Sequence, residues 1–327
     1  MRVTSINRTF ALAGLAPAGR LSHRYCRLLP VLALSIATPA WSQTALAADT
    51  AVNAHYKFIA IGPQNAQNAY AAGINNAGLV TGFYEDLSSN YHGFVWQNGV
   101  FQTVDYPGAT DTFLYGVNNF GVAIGGYGDS FASPTNHAAT YTVQSGTWTE
   151  LPDIPNHSLN FGYGINDSGV AVGDAPLAGS SATGVGWAWD PTTLSYAFLS
   201  VPGAQPYSTV PDGLNDKGQV VGYAADASYA QHGFIEEGGV YTAFNVPGAA
   251  DTFPLGIDNR GTIVGGWINA AGTLQGFLMT SSGHFINVDY PGPQMTQIDG
   301  INERGDLCGI YSPSSNGPFK AFIALAQ

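Results

Sequence analysis

The sequence predicts an all-β protein, a six-bladed β-propeller, on three observations. A motif of the form Gly-apolar-Asn/Asp-x-x-Gly occurs six times, at successive spacings of 43, 48, 49, 43 and 44 residues, close to the period of four-stranded propeller blades. Short runs rich in β-branched and aromatic residues alternate with Gly, Asn, Ser and Pro turns, as strands and turns do. An extra strand-like run precedes the first repeat, and the last repeat lacks its fourth strand-like run. The motifs begin at Gly73, Gly116, Gly164, Gly213, Gly256 and Gly300.

Strand spacing alone would also fit a β-sandwich or a closed barrel. The regular phase of the motifs and the split last repeat favour the propeller. We therefore expect one propeller domain, residues 48–327, after a leader.

The leader is residues 1–47, which have the pattern of a secretory signal peptide. Arginines precede the apolar run 28–41, and the small-x-small cleavage pattern Ala-Leu-Ala follows at 45–47. The apolar run is shorter than the ~20 residues that a membrane span needs. We expect a secreted protein, periplasmic or extracellular, without membrane insertion.

The expected mature chain is strongly acidic. Residues 48–327 carry five Lys and Arg against 22 Asp and Glu, a net charge of −17. Nucleic acid is excluded as a partner, because phosphate binding needs clustered Lys and Arg.

Cys308 is the only cysteine outside the leader, so an intrachain disulfide is excluded and packing must supply the stability. We expect a monomer.

Each repeat except the last is predicted to form four strands. In the second repeat they are 112–117, 121–127, 137–143 and 147–151. The motif turn joins the first two strands, where its Asn can bond the backbone and its second Gly can adopt a left-handed conformation. A short glycine turn joins strands three and four, so both tight turns share one face of the propeller. The variable loops between strands two and three and the joints between blades share the other, the loop face.

Closure of the ring is predicted from the two chain ends. The last repeat stops after its third strand, 321–326, whereas the segment 55–62 precedes the first motif as an extra strand. Pairing 55–62 with 321–326 would complete the sixth blade and remove both open edges.

Aligned repeats place acidic and aromatic columns on the loop face. Carboxylates accept bonds from sugar hydroxyls, and ring faces cover the apolar side of a sugar, so these columns are candidate ligand-binding residues. Aromatic packing between blades and acids that merely solvate their loops are the alternative. The candidates in these columns are Tyr84, Asp86, Tyr127, Asp129, Asp226 and Trp267.

A second candidate site lies one residue before each motif glycine, on the strand expected to line the central channel. Asp212 and Asp299 stand at equivalent positions one blade apart and could act as general acid and base in glycoside cleavage. They could also hold a cation such as Ca²⁺ with oxygen ligands, although water-bridged channel acids remain the alternative. Four further residues would line the channel or its mouth: Asp111, Tyr115, Tyr163 and Asp251.

Other chemistry finds no support in the sequence. His92, His137 and His232 begin the third strands of three different blades and cannot converge as a metal triad. No phosphate loop, dinucleotide fingerprint or zinc-protease motif is present. We predict no metal site and no cofactor.

The aligned repeats resemble the extracellular HAF-repeat proteins. The resemblance rests on the segment Gly-Ile-Asn-x-x-Gly with its following strand, on a His-Gly-Phe step and on a Pro-Gly-Ala joint, and it covers nearly all of the chain after the leader. In the first repeat these are residues 73–82, 92–94 and 107–109. The His step departs from the pattern at 137–139, 185–187, 275–277 and 320–322. The resemblance implies a secreted bacterial repeat protein and no settled reaction.

These observations favour a non-enzymatic recognition or scaffold module that binds an extracellular ligand, a glycan or a protein, on its loop face. A glycan hydrolase or lyase acting through Asp212 and Asp299 is the first alternative. A structural component of the envelope or of a biofilm is the second.

Overall fold

The protein is a six-bladed β-propeller, as the sequence predicts. The structure is a computed structural model, and it describes residues 56–128, 136–157, 159–176, 184–292, 295–314 and 317–327. The predicted leader lies outside the described residues. Among the residues described there is no helix of the length and hydropathy needed to cross a bilayer.

The first three blades each contain four consecutive antiparallel strands. Blade 1 contains β2 (Asn68–Ile74), β3 (Val80–Glu85), β4 (Tyr91–Gln97) and β5 (Val100–Val104). Blade 2 contains β6 (Asp111–Val117), β7 (Val122–Gly128), β8 (Asn136–Thr142) and β9 (Thr147–Glu150). Blade 3 contains β10 (Phe161–Ile165), β11 (Ala171–Pro176), β12 (Gly184–Asp190) and β13 (Ser195–Leu199).

The second half of the ring has the same order, except that its last blade takes its outer strand from the N-terminal side, β1 (Tyr56–Ile61). Blade 4 contains β14 (Val210–Leu214), β15 (Val220–Ala225), β16 (Gln231–Glu237) and β17 (Val240–Phe244). Blade 5 contains β18 (Asp251–Ile257), β19 (Ile263–Ile268), β20 (Leu274–Met279) and β21 (Phe285–Asn287). Blade 6 contains β22 (Met295–Ile301), β23 (Leu307–Ser312) and β24 (Lys320–Ala326).

The predicted closure is confirmed. Strand β1 pairs antiparallel with β24 over six positions, from Tyr56 opposite Ala326 to Ile61 opposite Ala321. Phe58 packs on Phe322 of β24 and on Tyr290 of the joint before the last blade, with ring centroids 5.5 and 5.3 Å apart. The ring is therefore closed by backbone pairing and by aromatic packing together.

The core has two parts. Apolar side chains on facing blades form six clusters, one at each junction between neighbouring blades. A seventh cluster surrounds the axis and is rich in Tyr and Phe, among them Tyr70, Phe113, Phe161 and Phe253. The axis is thus packed with side chains rather than open along its length.

The motif turns, which the sequence marks as hairpin turns, also link neighbouring blades. The side-chain oxygen of Asn75 accepts bonds from the backbone N–H groups of Ala77 and Leu79, at 3.0 and 3.1 Å. Its amide nitrogen donates to the carbonyl of Asn118, the matching residue of the next blade, at 3.0 Å. The same donation runs from Asn118, Asn166 and Asn215 to the following blade, and from Asn302 back to Asn75.

The remaining turn replaces this Asn with Asp258, which has no amide to donate. Its second carboxylate oxygen instead accepts two bonds from the guanidinium of Arg260, at 3.0 and 2.8 Å. A second ring forms at the next motif position, where each backbone N–H donates to the side chain of the next blade. Its members are Asn76, Asn119, Asp167, Asp216, Asn259 and Glu303.

Candidate functional site

Asp212 and Asp299, the proposed catalytic pair, do face a common axial cavity. It has a volume of about 70 Å³, and Ala72, Tyr163 and Leu255 also line it. Asp212 is fully buried and Asp299 is 5% exposed. Asp299 accepts a hydrogen bond from the side chain of Gln297 at 2.9 Å. Ligand pockets usually measure roughly 300 to 1,000 Å³, so this cavity is too small to enclose a sugar ring.

The two tyrosines of this column are buried as well. The hydroxyl of Tyr163 donates to the carboxylate of Asp174 at 2.9 Å. Burial, followed by the charge of Asp174, raises the pKa of Tyr163, so this hydroxyl stays protonated and remains a donor. Tyr115 packs edge-on against Tyr163, with ring centroids 5.1 Å apart. Both tyrosines belong to the axial core cluster.

Asp111 and Asp251, expected at the channel mouth, bridge neighbouring blades. Asp111 opens β6 and accepts the backbone N–H of Tyr91 in the preceding blade at 2.9 Å. Asp251 opens β18 and accepts the backbone N–H of Gln231 at 2.8 Å. Neither residue lines the axial cavity that Asp212 and Asp299 share.

The acidic column of the loop face is engaged within its own loops. Asp226 accepts bonds from the backbone N–H groups of Ser228 and Ala230 and contacts Nε2 of His232 at 2.9 Å. Burial would raise the pKa of Asp226, but the bonds from Ser228, His232 and Ala230 lower it to about 2. Asp86 repeats this arrangement with His92. Asp129 lies outside the described residues.

The repeated histidines pair with the joint residues that precede each inter-blade proline. Nδ1 of His92 lies 3.1 Å from both carboxylate oxygens of Asp105. Burial lowers the pKa of His92, yet the bonds and charges of Asp105 and Asp86 outweigh burial and raise it. His137 pairs with Asp153 at 2.7 Å. These histidines fasten each third strand to its joint, and they lie in different blades.

The aromatic column of the loop face packs against these histidines or against the joints. Tyr84 stacks on His92, with ring centroids 5.1 Å apart. Tyr127 stacks on the joint residue Tyr106 at 3.6 Å. Burial, followed by hydrogen bonding to Tyr106, raises the pKa of Tyr127. Trp267 donates from its indole nitrogen to Asn287 at 3.2 Å. Each ring is thus held within a blade or against the adjoining joint.

In the part of the chain that the structure describes, no three His, Cys, Asp or Glu side chains lie close enough together to hold a metal ion. Cys308 is completely buried in β23.

A much larger cavity lies between blades 4 and 5, where the sequence analysis predicts no site. This inter-blade cleft, defined by the residues of its lining, has a volume of about 650 Å³. It extends from the tight-turn face, at Lys217 and Arg260, to the joint 246–250 on the loop face. Phe244, Met279 and Phe285 are among the apolar residues that line it.

The matching junction between blades 1 and 2 shows why there is space here. Its cluster contains Leu79 and Tyr141, with Val143 and Trp148 packed against it, and the rings of Tyr141 and Trp148 lie 4.9 Å apart. The repeat alignment places Gln219, Met279, Phe285 and Ser281 at these four positions of the junction between blades 4 and 5. The side chains at the junction of blades 4 and 5 are smaller, more flexible or more polar than their counterparts between blades 1 and 2. They fill less of the junction, and the cleft is the space that remains.

The joint residue changes in the same way. Tyr106 at the junction of blades 1 and 2 stacks on Tyr127 and meets Trp148 edge-on. Val246 occupies the equivalent position beside the cleft. No single residue in the sequence marks the cleft. The available signal was the loss of large apolar side chains at one junction.

Polar groups are also present along the cleft. Asn245 and His232 lie at the joint end, where Nδ1 of His232 contacts the side chain of Asn245 at 3.0 Å. Thr280 and Ser282 lie at the tight-turn end, with their hydroxyls 2.9 Å apart. A mainly apolar lining with a few polar groups is the usual composition of a small-molecule site.

Comparison with known proteins supports the fold but identifies no family. No family model matches the chain, and no curated protein matches it. The structure is similar to that of the SapL1 lectin in complex with alpha methyl fucoside, with a TM-score of 0.50 and 12% identity over 80% of this chain and 94% of that one.

Two further solved structures are similar to the same degree. One is AofleA from Arthrobotrys oligospora, with a TM-score of 0.51 and 12% identity over 82% of this chain and 86% of that one. The other is TolB from Acinetobacter baumannii, with a TM-score of 0.51 and 10% identity over 81% of this chain and 65% of that one. At such identities these likenesses support the propeller architecture alone.

Proposed function

We propose that this protein is a secreted recognition module that binds a saccharide in the inter-blade cleft. The observation that carries the proposal is the cleft itself, whose volume of about 650 Å³ falls in the usual range for small-molecule sites. Secretion rests on the leader pattern of residues 1–47 and on the resemblance to HAF-repeat proteins.

The cleft lining suits a sugar. Phe244, Met279 and Phe285 offer apolar surface to the C–H face of a pyranose ring, while Asn245 at the joint end and Thr280 at the tight-turn end offer donors and acceptors for hydroxyls at the two ends of a longer saccharide. One protein of similar fold, the SapL1 lectin, was solved with a bound methyl fucoside, so the architecture is compatible with sugar binding. A site here replaces the loop-face columns, whose acids and rings already contact their own loops and joints.

Binding is tested by calorimetric titration of the chain 48–327 with a panel of neutral, acidic and amino mono- and oligosaccharides. We expect at least one member to bind, and Met279→Tyr to weaken that binding at least tenfold. The added ring restores the side chain that fills the junction of blades 1 and 2 at Tyr141, and so occupies the cleft.

The reverse substitution, Tyr141→Met, is the matched control, because it makes a comparable change three blades away. It should leave saccharide affinity unchanged. A panel without any binder, or a Met279→Tyr variant that binds as tightly as the wild type, would contradict the proposal.

A further inference from the structure

The inter-blade cleft differs in charge from the rest of this acidic protein. The chain 48–327 has only five basic residues against 22 acidic ones, and two of the five, Lys217 and Arg260, line the cleft. No Asp or Glu occurs among the described residues of the lining. The lining therefore contains two cations and, among its described residues, no carboxylate, while Asp258 beside it pairs with Arg260.

Both cations come from motif turns, which fixes their place at the tight-turn end. Lys217 and Arg260 occupy the fifth motif position in adjacent blades, where the junction of blades 1 and 2 has Ala77 and Phe120. Lys217 is exposed and forms no ion pair with any residue in the described part of the chain.

Asp258 holds the guanidinium of Arg260 in place and leaves some of its N–H donors available. Two of its five N–H groups donate to the buried carboxylate of Asp258, and its side chain is 57% exposed. Three donors remain in a fork whose orientation Asp258 fixes. A fixed guanidinium beside a mobile ammonium is a suitable arrangement for an anion.

Two carboxylates near the cleft lie outside its lining and accept hydrogen bonds from other groups. Asp216 accepts bonds from the backbone of Asp167 and from the side chain of Asn259. Glu237 accepts a bond from Gln219 at 3.2 Å. Neither Asp216 nor Glu237 lines the cleft.

We infer, on the basis of the proposed function, that the saccharide is acidic and places a carboxylate or sulfate group between Lys217 and Arg260. The sugar ring lies against the apolar lining further in, at Met279 and Phe285. The ligand class is then an anionic polysaccharide or one of its fragments.

The experiment compares three probes by titration: a uronic acid trisaccharide, its carboxyl-reduced neutral form, and the sulfated ester of that neutral form. The uronate or the sulfated probe should bind at least tenfold more tightly than the neutral one. Its affinity should fall as NaCl rises from 50 to 500 mM, because salt screens exposed charges. The two anionic probes identify which acid group is preferred.

Lys217→Gln should lower the affinity for the preferred acidic probe roughly tenfold, the usual scale for one charge-assisted hydrogen bond, and leave the neutral probe unchanged. Lys57→Gln, an equal change of charge on the outer strand of blade 6, should alter neither affinity. The Lys217 substitution is confined to an exposed turn, so a melting temperature equal to that of the wild type excludes unfolding as the cause.

The outcomes separate the two claims. If the neutral probe binds as well as the acidic ones and Met279→Tyr abolishes that binding, saccharide recognition in the cleft stands and the acidic class is overturned. If Lys217→Gln and Lys57→Gln weaken binding of the acidic probe equally, the effect is one of net charge and the inference also fails. If no saccharide binds at all, both claims fail together.

Discussion

Deletion of β1 is expected to leave the propeller open and poorly folded. A chain that begins at residue 63 lacks the strand that pairs with β24 over six positions, and it uncovers the buried side chains Phe322 and Ile323. At about 1 kcal/mol per backbone hydrogen bond, together with the lost apolar burial, the loss is about 5 kcal/mol or more.

An exposed, unpaired edge is also a template for association, so the shortened chain should form oligomers or aggregate. Thermal unfolding and size-exclusion chromatography check this expectation against a chain that begins at residue 48 and keeps β1. An unchanged melting temperature and elution volume would show that β24 does not need this partner.

Gly222→Ala is expected to destabilise the protein strongly. A Cβ at this position would lie 2.1 Å from the carbonyl oxygen of Val210 and 2.8 Å from Cα of Pro211. Those backbone atoms belong to β14, whose pairing with β15 shifts register between Pro211 and Gly213. Neither strand can move without disturbing the axial packing, so we expect a loss of about 3 kcal/mol, at the upper end of ordinary overpacking costs.

Gly218→Ala is the control in the same hairpin. Gly218 has a φ of +81° and nothing within 4 Å of an added Cβ, so the substitution costs only backbone strain, about 1 to 2 kcal/mol. Urea unfolding of both variants separates the clash from the strain. Equal midpoints would mean that the inner strand yields to the new methyl group.

The same close approach recurs in every blade, which explains a glycine that the repeats share. The second strand of each blade has a glycine whose added Cβ would lie 1.8 to 2.1 Å from a carbonyl of the inner strand. These glycines are Gly82, Gly125, Gly173, Gly222, Gly265 and Gly309. The sequence shows the repetition, whereas the reason lies in a bulge of the neighbouring strand.

The fold could be predicted because its determinants are local and repeated. Each motif specifies one hairpin. The number of motifs gives the number of blades, and their spacing gives the size of a blade. The extra strand before the first motif supplies the fourth strand that the last repeat lacks, because unpaired sheet edges must be covered. The link that Asn75 makes to Asn118 could not be read from the turn, because it depends on where the next blade lies.

The site was less accessible to sequence reasoning. Asp212 and Asp299 line one axial cavity, but its volume of about 70 Å³ depends on how closely the inner strands approach. The inter-blade cleft depends on side-chain volumes from strands of two blades, such as Met279 where the other junction has Tyr141. Such a space results from the absence of large side chains at the junction, so no single residue in the sequence marks it.

Hydrogen–deuterium exchange with the tightest-binding saccharide tests most directly whether the inter-blade cleft is the binding site. We predict protection in the segments 242–250 and 279–285, which line the cleft from its two blades, with no change in the loop segment 84–92 of blade 1. Protection confined to 84–92, or spread evenly over all six blades, would contradict a site between blades 4 and 5.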